Sequence, residues 1–163
     1  MKNKITIILS WALVLLTMVI IFNFSAESSE ESSKTSGDVV EQVLGIFMEK
    51  EEITPPVVKK YQFPIRKAAH FGIYMLLGFC MMSAFEKTFK IKYLLNILFS
   101  GFSCILYAIS DEIHQSFSAD RGPRIVDVVI DSVGAIVGVL TFAGLIFLYK
   151  KFLSPKNAFI LNN

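Results

Sequence analysis

Apolar residues in this chain come in long blocks separated by short polar segments. Ile5 to Phe24 is nearly uninterrupted, and Ala68 to Phe85 is broken by His70 and Ser83. Tyr93 to Ile109 is again mostly apolar, and Ile125 to Tyr149 forms the fourth block. Each approaches the roughly 20 residues that a helix needs to cross a hydrocarbon core of about 30 Å. The pattern predicts transmembrane helices over about 5–24, 64–85, 92–113 and 125–149, with segment 25–63 lying between the first two. The predicted class is an all-α polytopic membrane protein with four transmembrane helices.

Segment 25–63 divides into two parts. Ser25 to Lys34 is dominated by Ser and Glu, buries too little apolar surface to offset its ordering entropy, and reads as a solvated linker. Val39, Val40, Val43, Leu44 and Phe47 then recur at helical spacing, with Asp38, Glu41, Gln42 and Glu49 on the opposite face. An amphipathic helix is expected here, starting near Asp38. Its polar face is acidic, so it should pack on the bundle rather than be drawn to anionic lipid. Thr54-Pro55-Pro56 reads as a break, and Pro64 as the first turn of the second membrane helix, where a missing N–H costs nothing.

The 163 residues, 53% of them hydrophobic, fit one unit rather than two domains. The net charge of +2 becomes informative only when split by side. Lys2, Lys4, Lys87, Lys90, Lys92, Lys150, Lys151 and Lys156, with Glu86, give one side +7, leaving −5 for the other. Basic residues near helix ends are retained in the cytoplasm, so both termini are expected inside and segment 25–63 outside. The first apolar run is longer than a signal-peptide core, and Phe24 precedes the small residues Ser25-Ala26, which favours an uncleaved helix. Cys80 and Cys104 lie inside apolar runs, show no CxxC pattern, and read as packing residues.

The chemistry concentrates at the outer end. Tyr107-Ala-Ile-Ser-Asp111-Glu112-Ile-His114-Gln115 closes the third block. Asp111, His114 and Gln115 share a helical face with Tyr107, while Glu112 projects about 100° away from Asp111. On the second helix Arg66, His70 and Tyr74 follow at i, i+4, and Lys67 can snorkel toward head groups. Arg121 and Arg124 flank a Gly122-Pro123 turn before Asp127 and Asp131, also at i, i+4. Below them Gly134-Ala-Ile-Val-Gly138 is a small-residue face that lets two helices approach closely and hold those acids against a neighbour. Ionisable groups at this depth are costly and normally face a bundle interior, a cavity or a partner.

These blocks carry a family resemblance. Arg66-Lys67-Ala-Ala-His70-Phe71 with Tyr74 and Gly78, Tyr107 to Phe117, Arg121, and Asp127-Val-Val-Ile-Asp131 with Gly134 are similar, in order and spacing, to VanZ-like membrane proteins. That family is named for an accessory factor in teicoplanin resistance. Phe24-Ser25 also resembles its first junction, although Glu27 stands where the family commonly has Gln. The resemblance implies a small polytopic membrane protein of the cell envelope, linked in some members to glycopeptide resistance, and no defined reaction.

Three readings of the polar groups remain open. They form a charge network joining helix ends; or a recognition site; or a catalytic one. For recognition, Arg66, Lys67, Arg121 and Arg124 hold an anionic group while Tyr74, Tyr107, Gln115, Asp127 and Asp131 read the rest of an amphiphile. The expected partner is then a membrane lipid, a lipid-linked wall precursor or a lipoglycopeptide. For catalysis, His70 or His114 acts as base or nucleophile beside Asp111 or Glu112, in phosphoryl or acyl transfer on a lipid. No HExxH or comparable metal spacing, cofactor motif or nucleic-acid feature is present in the sequence. Four helices without an internal repeat offer a monomer no transport path. Homo-oligomerisation stays open.

Overall fold

The computed structural model describes residues 2–26, 29–117 and 124–153. All elements among them are helical: α1 (Lys2–Ala26), α2 (Ser29–Leu44), a 3-10 turn (Lys50–Glu52), α3 (Pro55–Thr88), α4 (Tyr93–Gln115) and α5 (Ile125–Leu148), which runs into a π turn at Tyr149–Leu153. Four of them (α1, α3, α4 and α5) are long and apolar enough to cross a membrane. Their outward faces carry Leu13, Leu16, Phe99, Phe102, Val129 and Leu140, all exposed. Hydrocarbon solvates such side chains at no cost, so little of each span needs a protein neighbour. The chain is an all-α polytopic membrane protein.

Two boundaries differ from the sequence expectation, for one physical reason. The Ser/Glu stretch expected as linker is helical from Ser29 onward, within α2. The second membrane helix, expected to open at Pro64, begins at Pro55, with Pro64 in its interior. Each half supports the other: Val40 and Leu44 of α2 pack on Val58 of α3, flanked by Ile53 and Ile65. Gln62 of α3 donates to the Ser33 carbonyl at 2.5 Å and to Ser36 Oγ at 2.8 Å. Tertiary contact thus outweighs weak local propensity and the hydrogen bond that Pro64 removes. With 34 residues at 1.5 Å each, α3 is about 50 Å long against a hydrocarbon core of about 30 Å. The helix is thus longer than that layer is thick, and its N-terminal turns form an antiparallel pair with α2.

The tightest seam joins α3 to α5. A Cβ added to Gly78 would collide with the Ala135 backbone, and one added to Gly138 would collide with that of Met75. Gly134 lies almost as close to Phe71, whose carbonyl oxygen would stand 2.5 Å from an added Cβ. The small-residue face expected from Gly134 and Gly138 does what that spacing permits, bringing two backbones together. At the lysine-rich end, Trp11 Nε1 donates to Thr88 Oγ1 at 2.9 Å, and Lys87 Nζ donates to Ser10 and Ser83 at 2.7 and 2.9 Å. Lys150 pairs with Glu86 at 2.7 Å, and Tyr93 donates to the Ala143 carbonyl at 2.6 Å. These contacts set α1 antiparallel to α3 and hold the ends of α3, α4 and α5 level.

Candidate functional site

At the opposite end of the bundle the polar side chains form a ladder along the α3–α5 seam and the inner face of α4. Lys67 Nζ pairs with Asp127 Oδ1, their side chains 13% and 15% exposed. One turn deeper, His70 Nδ1 lies 3.6 Å from Asp131 Oδ1. Deeper still, the buried Tyr74 hydroxyl donates to Asp111 Oδ2 at 3.0 Å, and Gln115 Nε2 donates to the same oxygen at 3.3 Å. The close approach at Gly134 explains the register: with α3 and α5 in backbone contact, residues at i, i+3 on α3 meet residues at i, i+4 on α5.

The ladder is incompletely satisfied. Asp111 Oδ1 and Asp131 Oδ1 are buried without a hydrogen-bond donor among the described residues. Ser25, at the end of α1 and only 2% exposed, faces the Asp111 carboxylate without closing a well-formed hydrogen bond. His70 and Asp131 are both near enough to act on the Asp111 charge. An unpaired buried polar atom costs about 1–3 kcal/mol, so groups left in this state are ready to accept a donor.

The remaining expected residues divide. Glu112, as its angular offset from Asp111 implied, has a separate partner: it accepts from the Arg124 backbone N–H. Arg124 is itself exposed. The Tyr107 hydroxyl donates to the Met18 carbonyl at 2.7 Å and so ties α4 to α1. The His114 ring packs on Phe22 with centroids 4.3 Å apart, and its Nδ1 is buried without a hydrogen-bond partner among the described residues. Neither Asp111 nor Glu112 orients either histidine through an ion pair; among the described residues that part is taken by Asp131, for His70. Lys67, which the sequence allows to snorkel, turns inward to Asp127 instead. Arg121 and its turn lie outside the described residues. No three His, Cys, Asp or Glu residues among those described converge as a metal-binding group.

Beside the ladder lies a half-open cavity of about 300 Å³ between α1, α2 and α3. Its walls are mainly apolar, with Ile21 and Phe24 from α1, Val39 from α2, and Ile65, Ala69 and Ile73 from α3. Arg66 supplies its cation, His70 an imidazole beside it, and Ser32, Thr35 and Ser36 its hydroxyls. His70 thus belongs to both regions, with Nδ1 toward Asp131 and its ring on the cavity. The sequence pointed to Arg66 and His70 but missed the α2 wall, because Ser32 sits in the stretch read as linker and Thr35 and Ser36 precede the helix start expected near Asp38. It also left Ser25 without a role. The signal available for both was the run of small hydroxyl residues directly after an apolar span.

A family model described as VanZ/LLP1 matches residues 10–148, from the first membrane helix to the end of the last. No curated protein and no solved structure matches the chain significantly. The matched span contains the whole ladder and every residue lining the cavity, and the chain belongs to the VanZ/LLP1 family.

Proposed function

We propose that this protein binds an amphiphile at the outer membrane surface, in the cavity between α1, α2 and α3, and that occupancy alters glycopeptide susceptibility. The observation that carries this reading is the cavity itself: apolar walls at the end of membrane spans, with Arg66 and His70 beside them. Such a site removes apolar surface from contact with water and fixes one polar group, which is what an amphiphile offers. The excess of lysine at the other end of the bundle supports the outward orientation.

A second reading, a charge network that only joins helices, is favoured for one subset. Lys67, Tyr74, Asp111, Gln115, Asp127 and Asp131 pair among themselves or lie buried between helices. We therefore assign the ladder to support and the cavity to recognition, with His70 between them. Were His70, oriented by Asp131, also a base toward the bound head group, product would form during binding.

Filling the cavity tests the reading. Ala69→Phe should weaken retention of a fluorescent single-chain amphiphile in nanodiscs about tenfold or more, since its ring takes the apolar volume. Unchanged retention at equal folded protein would remove the cavity from the function. In cells, wild type should protect against teicoplanin beside vancomycin, and Ala69→Phe should lose protection at equal membrane abundance. Without protection by wild type, the glycopeptide part of the proposal falls and the binding part stands on the first assay.

A further inference from the structure

The depth and chemistry of the cavity narrow the ligand class, taking the amphiphile reading as given. Ile21 and Phe24 belong to the last turns of the α1 apolar run, and Ala69 and Ile73 lie one and two turns inside α3 from Arg66. The apolar floor therefore meets the outer end of the hydrocarbon, and Arg66 meets the head-group layer. Among the described residues no carboxylate lines this space: Asp111, Glu112 and Asp127 are directed elsewhere, and Asp131 is behind His70.

Arg66 places a cation on the rim. No ion pair joins Arg66 to a carboxylate among the described residues. His70 turns Nδ1 to Asp131, which leaves Nε2 as the nitrogen able to serve a ligand. Ser36 is already engaged, accepting from Gln62 and donating to the Ser32 carbonyl at 2.7 Å. Ser32 and Thr35 supply the other hydroxyls. A volume of about 300 Å³ is on the order of ten water volumes. That admits a stretch of one chain and a compact head group, and excludes a whole glycopeptide.

We infer that the occupant is an anionic lipid, with one chain segment between α1 and α3 and its phosphate or carboxylate in the fork of Arg66. Guanidinium matches either anion through two parallel hydrogen bonds. A free anion would use the same fork and gain nothing from Ile21, Phe24, Ala69 and Ile73. The chain is what selects a lipid.

The test uses the full chain in nanodiscs of zwitterionic lipid, doped with diazirine-bearing phosphatidic acid or phosphatidylcholine carrying identical chains. Crosslinks are mapped to peptides containing Ile21–Phe24 and Ala69–Ile73. Phosphatidic acid should label these about tenfold more than phosphatidylcholine, the fold-change expected of one charge-assisted contact. Arg66→Gln should abolish the preference without shifting the thermal midpoint, and inorganic phosphate should not compete. Equal labelling by both lipids, lost from both in Ala69→Phe, would overturn the anionic assignment and leave amphiphile binding intact. Competition by inorganic phosphate as strong as by the lipid would replace the lipid by a small anion. No labelling by either lipid would remove the amphiphile reading and this inference with it.

Discussion

The α3–α5 seam and the α1–α2–α3 cavity share one stretch of α3 yet are built in opposite ways. In the seam, glycine removes side-chain volume until backbones touch, and each polar group from α3 meets one from a neighbouring helix. Around the cavity, α1 and α2 stand off, and Arg66 borders open space with no carboxylate paired to it among the described residues. The difference follows from helix geometry. Lys67 lies about 100° around the helix from Arg66, so adjacent cations in sequence face different neighbours. One is consumed in holding the bundle, and the other has no ion-pair partner among the described residues, which is why recognition is proposed for it. A run of charged residues in a membrane protein therefore cannot be assigned to support or function as a block.

The largest effect should come from filling the seam. Gly138→Val places a branched side chain against the Met75 backbone, and overpacking of this kind costs about 1–3 kcal/mol even where side chains can yield. Backbone cannot yield, so folded protein should be lost from the membrane fraction. Gly72→Ala is the matched contrast, since nothing lies within 4 Å of its added Cβ. It should be neutral or stabilising by up to about 1 kcal/mol in a helix. Equal abundance of the two variants would break the distinction between a closed seam and open faces.

Next in size is the Lys67–Asp127 pair. Lys67→Met or Asp127→Leu alone strands a partly buried charge, at about 1–3 kcal/mol, and the double variant should recover much of it with a coupling of about 0.5–3 kcal/mol. Reversible unfolding in micelles measures the cycle. Arg66→Gln, on the cavity side, should change stability by less than about 0.5 kcal/mol. Additive losses at 67 and 127, or a large loss at 66, would reverse the roles given to these neighbours.

Much of this was legible in the sequence because the membrane imposes its own periodicity. Four apolar runs give four spans, the spacing of Gly134 and Gly138 announces a close contact, and the offset of Glu112 from Asp111 announces separate partners. Which helix each face meets was not legible. Arg66, His70 and Tyr74 share a face by spacing, yet Tyr74 reaches Asp111 in the interior while Arg66 borders the cavity, because α3 passes between neighbours at different depths. The amphipathic half of α2 from Asp38 was expected as helix, whereas its first half, read as linker, failed for the converse reason. Its composition describes a solvated chain, and only the α3 surface beside it makes a helix favourable.

The smallest prediction concerns how firmly that surface holds α2. Gln62 alone among the described residues donates side-chain hydrogen bonds from α3 to α2, to Ser33 and Ser36, and both partners are at the cavity end of α2. Gln62→Ala should cost about 1 kcal/mol or less, since solvent can replace much of a partly exposed hydrogen bond. The apolar contacts of Val40 and Leu44 with Val58 remain, so α2 should stay helical at its far end. Amide exchange should therefore accelerate in residues 32–36 and stay unchanged in 40–44 and throughout α5. Acceleration along all of α2 would mean that Gln62, rather than the Val40 cluster, holds the helix in place. No acceleration would make the α2 wall as rigid as the seam, and the contrast between the two regions would then be one of shape alone.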